Sequence, residues 1–510
     1  MPSRLVKRWV KRLTLVVVVI ALTFFAIRSY DSRRGPRLEL WHTYVPQELN
    51  AQAIDATDWN GYLAAENRIF DEVNMNVTQR LQASERIPIN RYFFGSVMYP
   101  GHFEHDWNRS YIMMPPGKPR GAVVLLHGLT DTPYSLRHIA DNYRQQGFIA
   151  IGIRLPAHGT VPGALTRVHW QDWLAATRLA VREAKRLTGP DAPLYLVGFS
   201  NGGALAMKYT LDALEDNRLA KPQRVILISP MIGVTSFARF AGLAGLPAIF
   251  PPFAKAAWLG IVPEFNPFKY NSFPVNGARQ SYLLTNALQE QIALESRKNR
   301  LGNLPPILTF QSVVDFTVST RAVISSLYNM LPDNGSELVL FDINRTADFA
   351  LLLRSATVSA IQQLLPPPPR PYTASIVTNE SVDSSKMVSR TVLAEQSNTT
   401  VEPLDMVYPP QLFSLSHVAL PFPVTDPLYG SQPEHPEQYG MNLGAMAVRG
   451  ERSVLIVDLD TLLRASSNPF FPYLLQRIDA DIDPPLAKTA AATADQITSK
   501  QEFMSPKSLP

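Results

Sequence analysis

The sequence contains no cysteine among its 510 residues. This absence excludes disulfide bonds, a thiolate nucleophile, a zinc site with cysteine ligands and a lipid-modified cysteine. It leaves the redox compartment open, because a protein without cysteine is stable in either environment. Hydrophobic residues make up 46% of the chain and charged residues 18%. This composition is typical of a folded chain with a large core and excludes a wholly disordered one.

Outside the N-terminus, the chain has slightly fewer basic residues than acidic ones. The net charge is +5, but the first 37 residues contain nine lysines and arginines and a single acid, Asp31. The rest of the chain therefore has a net charge of −3. A nucleic-acid-binding domain needs a basic face on its folded body. We therefore expect no nucleic-acid partner.

An apolar segment lies close to the N-terminus. Residues 13–27 are an unbroken run of apolar residues and threonines, somewhat shorter than the ~20 residues that span a bilayer comfortably. Residues 24–28, Phe-Phe-Ala-Ile-Arg, do not form the A-x-A-like pattern of a cleavage site, which favours an uncleaved anchor over a cleaved signal peptide or a buried core helix. Five basic residues precede the run and favour a cytoplasmic N-terminus. We expect residues 1–37 to be a signal-anchor, with the body on the far side, which is the periplasm in a bacterium.

The remaining sequence divides into an α-rich lead-in with the first strands, 38–120, and a long alternation of strand and helix patterns, 121–480. Strands separated by helices of this length need right-handed crossovers, so we predict a mostly parallel sheet with helices on both faces. An aromatic and proline-rich stretch interrupts the alternation at about 231–305. A second interruption, at about 366–402, opens on four prolines and is predicted to be a surface loop. Residues 484–510 are predicted to be a disordered tail.

Ser200 is the candidate nucleophile. It lies in a Gly-x-Ser-x-Gly pattern, Gly198 to Gly202, which closes a predicted strand and opens a predicted helix. Such a turn is strained, and glycine on either side of the serine removes side chains that would collide with neighbouring backbone. The alternative is an ordinary glycine-rich turn between a strand and a helix.

A serine nucleophile also requires a base, a carboxylate that orients the base, and donors for the developing oxyanion. Asp315 and Asp342 each follow a predicted strand, and Asp315 is favoured because its strand end lies where such sheets place ligands. The backbone amides of Leu129 and Asn201 are the candidate oxyanion donors. His127 and His158 are predicted to be structural turn histidines. We expect no metal site and no cofactor.

These motifs together resemble the α/β-hydrolase superfamily, and within it the branch of monoglyceride lipases, lysophospholipases and serine aminopeptidases. The resemblance is carried by Leu126-His127-Gly128, Arg154 to Gly159, Gly198 to Gly202, and Asp315 with Phe316-Thr317-Val318. It covers roughly residues 120–345 and 405–480. The resemblance implies the α/β-hydrolase fold, with the 231–305 stretch as a lid over the sheet edge.

The family's chain order places the histidine of the triad last. Only His417 and His435 follow Ser200 in this sequence. His417 is favoured because apolar neighbours can hold it rigidly, whereas His435 lies in a loop bounded by prolines. A long segment separates Asp342 from His417, which departs from the family's usual spacing.

The resemblance implies hydrolysis of an ester or amide through an acyl-enzyme intermediate. The aromatic lid favours a lipid or other acyl ester, although lid packing alone explains the same composition. Two alternatives stay open. One is an aminopeptidase-type amide hydrolase, which would need acidic lid residues to bind the substrate's amine, and the lid has few: Glu264, Glu290 and Glu295. The other is a catalytically silent scaffold at the cell envelope. The sequence indicates a small-molecule substrate and the membrane as partners, and gives no indication of a protein partner.

Overall fold

The computed structural model describes residues 4–34, 36–233, 251–350, 353–446 and 459–482. Ten strands of the described residues form one sheet, and two more form a small separate sheet. In chain order the strands are β1 (Tyr111–Met113), β2 (Gly121–Leu126), β3 (Phe148–Ile153), β4 (Leu194–Phe199), β5 (Arg224–Ile228), β6 (Trp258–Gly260), β7 (Phe273–Pro274), β8 (Ile307–Ser312), β9 (Glu337–Phe341), β10 (Thr373–Asn379), β11 (Lys386–Val392) and β12 (Thr399–Val407).

The described residues also form thirteen α-helices. They are α1 (Arg4–Arg34), α2 (Leu40–Thr43), α3 (Ala51–Ala56), α4 (Trp59–Asn76), α5 (Arg137–Gln145), α6 (Trp170–Thr188), α7 (Asn201–Glu215), α8 (Val275–Arg297), α9 (Thr320–Ser326), α10 (Ala347–Ala350), α11 (Ser355–Gln362), α12 (Leu459–Arg464) and α13 (Phe471–Ile482).

The large sheet has the strand order β1-β3-β2-β4-β5-β8-β9-β10-β11-β12. In this sheet order, the seven neighbouring strands that begin with β3 and end with β10 are parallel. At one edge β1 pairs antiparallel with β3, and at the other β11 pairs antiparallel with both β10 and β12. Helices α6 and α7 contribute to the core on one face of the sheet, and α5 and α13 to the core on the other. The prediction of a mostly parallel sheet covered on both faces is confirmed.

The prediction that residues 366–402 form a surface loop is wrong. This segment contains β10 and β11, and the start of β12, which extend the sheet beyond β9. The serines and threonines that indicated a loop instead bond across strands, as Ser375 Oγ and Thr391 Oγ1 do at 3.0 Å. The β-branched residues among them fit a half-buried pleated surface, which favours strands. These extra strands also account for the long segment between Asp342 and His417.

The lead-in is joined to the sheet domain by a buried arginine. The guanidinium of Arg154, which follows β3, pairs with Glu48 at 2.9 Å and with Glu66 of α4 at 3.2 Å. The guanidinium of Arg154 and the carboxylates of Glu48 and Glu66 are largely removed from solvent. Because a buried charge is costly unless it is paired, these contacts fix the lead-in against the domain.

Helix α1 contains the apolar N-terminal segment. Its stretch Lys7–Ile27 is 21 residues long and apolar enough to cross a membrane, a property that signal sequences share. The predicted disordered tail, 484–510, lies outside the described residues, as does the part of the predicted lid at 234–250. The described part of the lid region consists mainly of β6, β7 and the long helix α8.

A buried charged cluster holds the segment after His417 against α5. The carboxylate of Asp426 accepts hydrogen bonds from Arg137 Nη2 at 2.6 Å and Tyr134 OH at 3.0 Å, and contacts His138 Nε2 at 2.9 Å. Burial alone would raise the pKa of Asp426, but Arg137, His138 and the backbone amide of Tyr429 together outweigh it and hold this pKa well below its ordinary value. The carboxylate therefore stabilises the fold above its ordinary pKa, and this contribution is lost as pH falls below that value.

We expect Asp426→Ala to lower the free energy of unfolding by about 3–5 kcal/mol, because Arg137 is then buried without a partner. Denaturant melts at neutral pH measure this change. The matched control is Asp383→Ala, an exposed turn residue, which should stay within about 0.5 kcal/mol of the wild type. Equal stabilities for the two variants would contradict this account of the cluster.

Candidate active site

Ser200 lies at a sharp turn between β4 and α7. Its backbone has φ 55° and ψ −115°, a strained conformation for any residue other than glycine. Two backbone hydrogen bonds hold the turn: Ser200 N donates to Ile228 O at 3.0 Å, and Met231 N donates to Ser200 O at 2.9 Å. The strain is therefore held in place by the neighbouring strand β5 and the loop that follows it.

The two glycines of the pattern are required by close backbone approach. A Cβ atom on Gly202 would lie 1.9 Å from the carbonyl oxygen of Leu126, at the end of β2. A Cβ atom on Gly198 would lie 2.4 Å from the carbonyl oxygen of Gly202. Both distances are well inside van der Waals contact, so a side chain at either position would push the turn out of place.

His417 and Asp315 are brought together across the carboxyl edge of the sheet. His417 Nδ1 lies 2.8 Å from Asp315 Oδ2, and both side chains are buried. The imidazole also stacks on Phe199, the residue before Ser200, with ring centroids 5.2 Å apart. Because Nδ1 bonds to the carboxylate, Nε2 is the nitrogen left to accept a proton from a nucleophile.

Asp315 is itself held by backbone amides. Its Oδ1 accepts hydrogen bonds from Thr317 N at 2.7 Å and Val318 N at 3.0 Å, and its Oδ2 accepts one from Gln311 Nε2 at 3.2 Å. Burial alone would raise the pKa of Asp315, but His417 and these hydrogen bonds outweigh it and lower the pKa. Asp315 therefore stays ionised at neutral pH and holds the His417 ring in place through Nδ1.

The competing candidates lie elsewhere. Asp342 bonds to Arg345 and to Thr378 Oγ1, so its carboxylate is engaged within the β9–β10 region. His435 is exposed in a turn. His127 accepts a hydrogen bond from Leu155 N at 3.0 Å through Nε2, while its Nδ1 lies 2.9 Å from Gly128 O.

His127 and His158 have the geometry of structural histidines. Burial holds the pKa of His127 well below its ordinary value and lowers that of His158 to about 4, so both rings are neutral at pH 7. Nδ1 of His158 lies 3.0 Å from Pro156 O, which ties this ring to the turn after β3. The prediction of structural roles agrees with these contacts.

The two predicted oxyanion donors lie next to Ser200. Leu129 lines the same cavity as Ser200, in the loop after β2. Asn201 is the first residue of α7, where a backbone amide has no partner within its own helix. Within the described part of the chain, neither amide donates to another residue. Such amides can stabilise a negative oxygen at this point.

Ser200 and His417 open onto one cavity of about 420 Å³. Its apolar wall is formed by Leu129, Met231, Phe273, Ala278 and Val418. Its polar side includes three charged residues that the sequence analysis missed: Asp131, Lys269 and Arg464. Asp131 comes shortly after the predicted oxyanion loop and could have been found from its position. Lys269 and Arg464 come from distant segments that carry no motif.

Parts of the chain are similar to known proteins. Residues 117–322 match a family model described as serine aminopeptidase, S33. An 85-residue stretch is 32% identical to a thermostable monoacylglycerol lipase from Bacillus sp. (strain H-257), covering 17% of this chain and 33% of the relative. The chain thus matches about a third of that relative's length. The resemblance to the α/β-hydrolase superfamily is confirmed.

Similar solved structures include a monoglyceride lipase from Saccharomyces cerevisiae, at 15% identity and a TM-score of 0.36. The matched region covers 50% of this chain and 90% of the lipase chain. Another is Est1E from Butyrivibrio proteoclasticus, solved with ferulic acid, at 17% identity and a TM-score of 0.34. The matched region covers 50% of this chain and 92% of the Est1E chain.

Proposed function

We propose that this protein is a serine hydrolase that cleaves carboxylic esters of lipid or other acyl substrates through an acyl-enzyme intermediate. The observation that carries this proposal is the meeting of three segments at one cavity. Ser200 lies at the strained turn, His417 lies beside it, and Asp315 bonds to His417 at 2.8 Å. A strained serine beside a histidine–carboxylate pair is the arrangement that acyl transfer requires.

In the proposed reaction Ser200 Oγ attacks the ester carbonyl carbon while His417 Nε2 accepts the hydroxyl proton. The carbonyl oxygen becomes negative and accepts hydrogen bonds from the amides of Leu129 and Asn201. The C–O bond to the leaving alcohol then breaks, and His417 returns the proton to that alcohol. Water, deprotonated by His417, attacks the acyl carbon. The bond between that carbon and Ser200 Oγ then breaks, and His417 returns the proton to Oγ, which releases the carboxylic acid and free Ser200.

The acidic residues of the lid region favour an acyl substrate over a substrate with a free amine. Of the acidic residues in the lid region, Glu264 accepts hydrogen bonds from the Asn271 and Ser272 amides, and Glu295 pairs with Lys298 and Arg300. Glu290 accepts a hydrogen bond from Asn286. All three carboxylates are therefore engaged, which weighs against the aminopeptidase alternative.

Asp131 is the carboxylate in the cavity that could bind an amine. Burial raises its pKa, and the nearby Lys269 partly opposes this effect. Lys269 thus already supplies a positive charge at this position, which leaves Asp131 a weak site for a substrate amine. This arrangement favours ester hydrolysis over the aminopeptidase alternative.

The experiment that tests the function is a substrate panel on the purified full-length protein. The panel contains p-nitrophenyl esters of increasing acyl length, lysophospholipids and aminoacyl amides. We expect turnover of acyl esters and little or none of the amides. Preferential cleavage of aminoacyl amides would support the aminopeptidase alternative, and inactivity towards the whole panel would support the silent scaffold.

We also propose that α1 anchors the protein in a membrane, with the body on the periplasmic side of a bacterial inner membrane. The apolar stretch Lys7–Ile27 and the basic residues before its core support this orientation. The protein should stay in the membrane fraction after a carbonate wash, and a C-terminal reporter should be active only in the periplasm. Release of a soluble form shortened by about 30 residues would support a cleaved signal peptide instead.

A further inference from the structure

Three large apolar side chains are exposed on chain segments that also contribute residues to the catalytic cavity. Phe316 is 92% exposed, Leu463 is 75% exposed and Phe413 is 58% exposed. We refer to these three residues as the apolar rim. Exposed apolar side chains are common singly, but several around a binding cavity mark a surface that contacts a partner or a membrane.

Hydrogen bonds tie the three segments of the apolar rim together at the cavity. Arg464 Nη2 donates to Thr317 Oγ1 at 2.6 Å, which places Leu463 and Phe316 on neighbouring segments. Ser416 Oγ donates to Arg464 O at 2.9 Å, which adds the segment that contains Phe413. Thr317 and Arg464 themselves line the catalytic cavity. The residues of the apolar rim are therefore carried by the segments that form this part of the cavity wall, with Phe316 and Leu463 each next in the chain to a lining residue.

The catalytic cavity is also connected to the N-terminal helix through a short stretch of chain. Helix α1 ends at Arg34 and α2 begins at Leu40, so the intervening chain spans at most roughly 20 Å. In α2, His42 Nε2 bonds to Ser272 Oγ at 2.9 Å. Ser272 precedes Phe273, which lines the catalytic cavity. A bilayer that holds α1 is thus within a short chain length of the cavity.

We infer that the apolar rim docks on the bilayer in which α1 is anchored, so that the ester substrate enters the cavity from the membrane. This inference rests on the proposed function and names the source of its substrate. The cationic Arg464 at the apolar rim suits the phosphate layer of a bilayer, whereas the body as a whole has a net charge of −3. Docking therefore depends on the membrane anchor α1 and the apolar rim rather than on overall charge.

The absence of cysteine permits a direct test of docking that does not depend on activity. The full-length variants Phe316→Cys and Leu393→Cys each carry one thiol for an environment-sensitive fluorophore. Leu393 is the matched control. It is 47% exposed and follows β11 at the amino edge of the parallel strands, opposite the cavity, because Val392 pairs with Ala374 at the start of β10.

The labelled proteins are reconstituted in phosphatidylglycerol–phosphatidylcholine vesicles that contain a lipid with a spin-label quencher in its acyl chain. We expect the fluorophore at position 316 to be quenched and that at position 393 to be unaffected. Quenching at neither position, or equally at both, would overturn the inference. A signal at position 316 that changes only with protein concentration would assign the apolar rim to a second copy of the chain.

A second experiment links docking to substrate entry. The double variant Phe316→Ser/Leu463→Ser is compared with Leu393→Ser on a long-chain ester embedded in the vesicles and on a water-soluble short-chain ester. We expect the double variant to lose about tenfold or more on the embedded ester, because burial of even one large apolar side chain supplies a factor of that size, and to keep its rate on the soluble ester. Equal losses on both esters, or none, would contradict the inference. A wild type that cleaves neither ester would instead refute the proposed hydrolase function, whatever the quenching shows.

Discussion

The variant Ser200→Ala should lose ester hydrolysis by about 10⁴-fold or more, because no other group at the turn can form the acyl-enzyme. The loss should appear in kcat, since the apolar wall that binds the substrate is unchanged. The measurement is the steady-state rate on the best ester of the panel, with folding checked by thermal denaturation.

The matched control for this variant is Ser229→Ala. Ser229 is also buried, also has a positive φ, of 41°, and its hydroxyl has no hydrogen-bond partner among the described residues. It follows β5, the strand next to β4. We expect Ser229→Ala to keep nearly full activity. Hydrolysis that survives in Ser200→Ala, or that is lost equally in both variants, would exclude Ser200 as the nucleophile.

The variant His417→Ala should show a loss of similar size, again about 10⁴-fold or more, because Ser200 is then left without a base. His435→Ala should keep nearly full activity, since His435 is an exposed turn residue. The readout is kcat/KM as a function of pH for each variant. The pH profile of His435→Ala should coincide with that of the wild type.

An inactive His435→Ala with an active His417→Ala would reverse the assignment of the base. Asp315→Asn provides a further check. The substitution keeps the size of the side chain but removes the charge that stabilises the imidazolium, so it should also cost on the order of 10⁴-fold. Asp342→Asn should affect stability rather than catalysis, because Asp342 pairs with Arg345 and Thr378.

The features that follow from local sequence were predictable. Most of the parallel strands are short runs of apolar residues, many of them branched, and β2 and β3 are buried on both faces along their whole length. The turn at Ser200 needs a glycine on either side for steric reasons that act within a few residues. These features depend on neighbours in the chain, so they were visible before the structure.

Features that depend on distant contacts were harder to predict. The pairing of His417 with Asp315 joins residues 102 positions apart. The family's chain order left His417 and His435 as candidates, and the apolar neighbours of His417 favoured it. The strands β10 to β12 were missed because prolines, serines and threonines in this segment indicated a loop. Their polar side chains are satisfied by cross-strand partners, and that pairing is not visible in one segment alone.

The charged side of the cavity shows the same limit. Asp131, Lys269 and Arg464 reach it from the loop after β2, from the lid region and from α12. No spacing in the sequence relates these three positions. The arrangement of the strands and the lid alone determines that they share a cavity with Ser200.

The most direct test of the central claim is covalent labelling of the full-length protein with a fluorophosphonate, followed by intact-mass and peptide mass spectrometry. We expect one adduct per chain on the peptide that contains Ser200. The reaction should be absent in Ser200→Ala and much slowed in His417→Ala, while Ser229→Ala reacts like the wild type. An adduct on a different serine, or labelling that persists in Ser200→Ala, would contradict the assignment of Ser200 as the nucleophile.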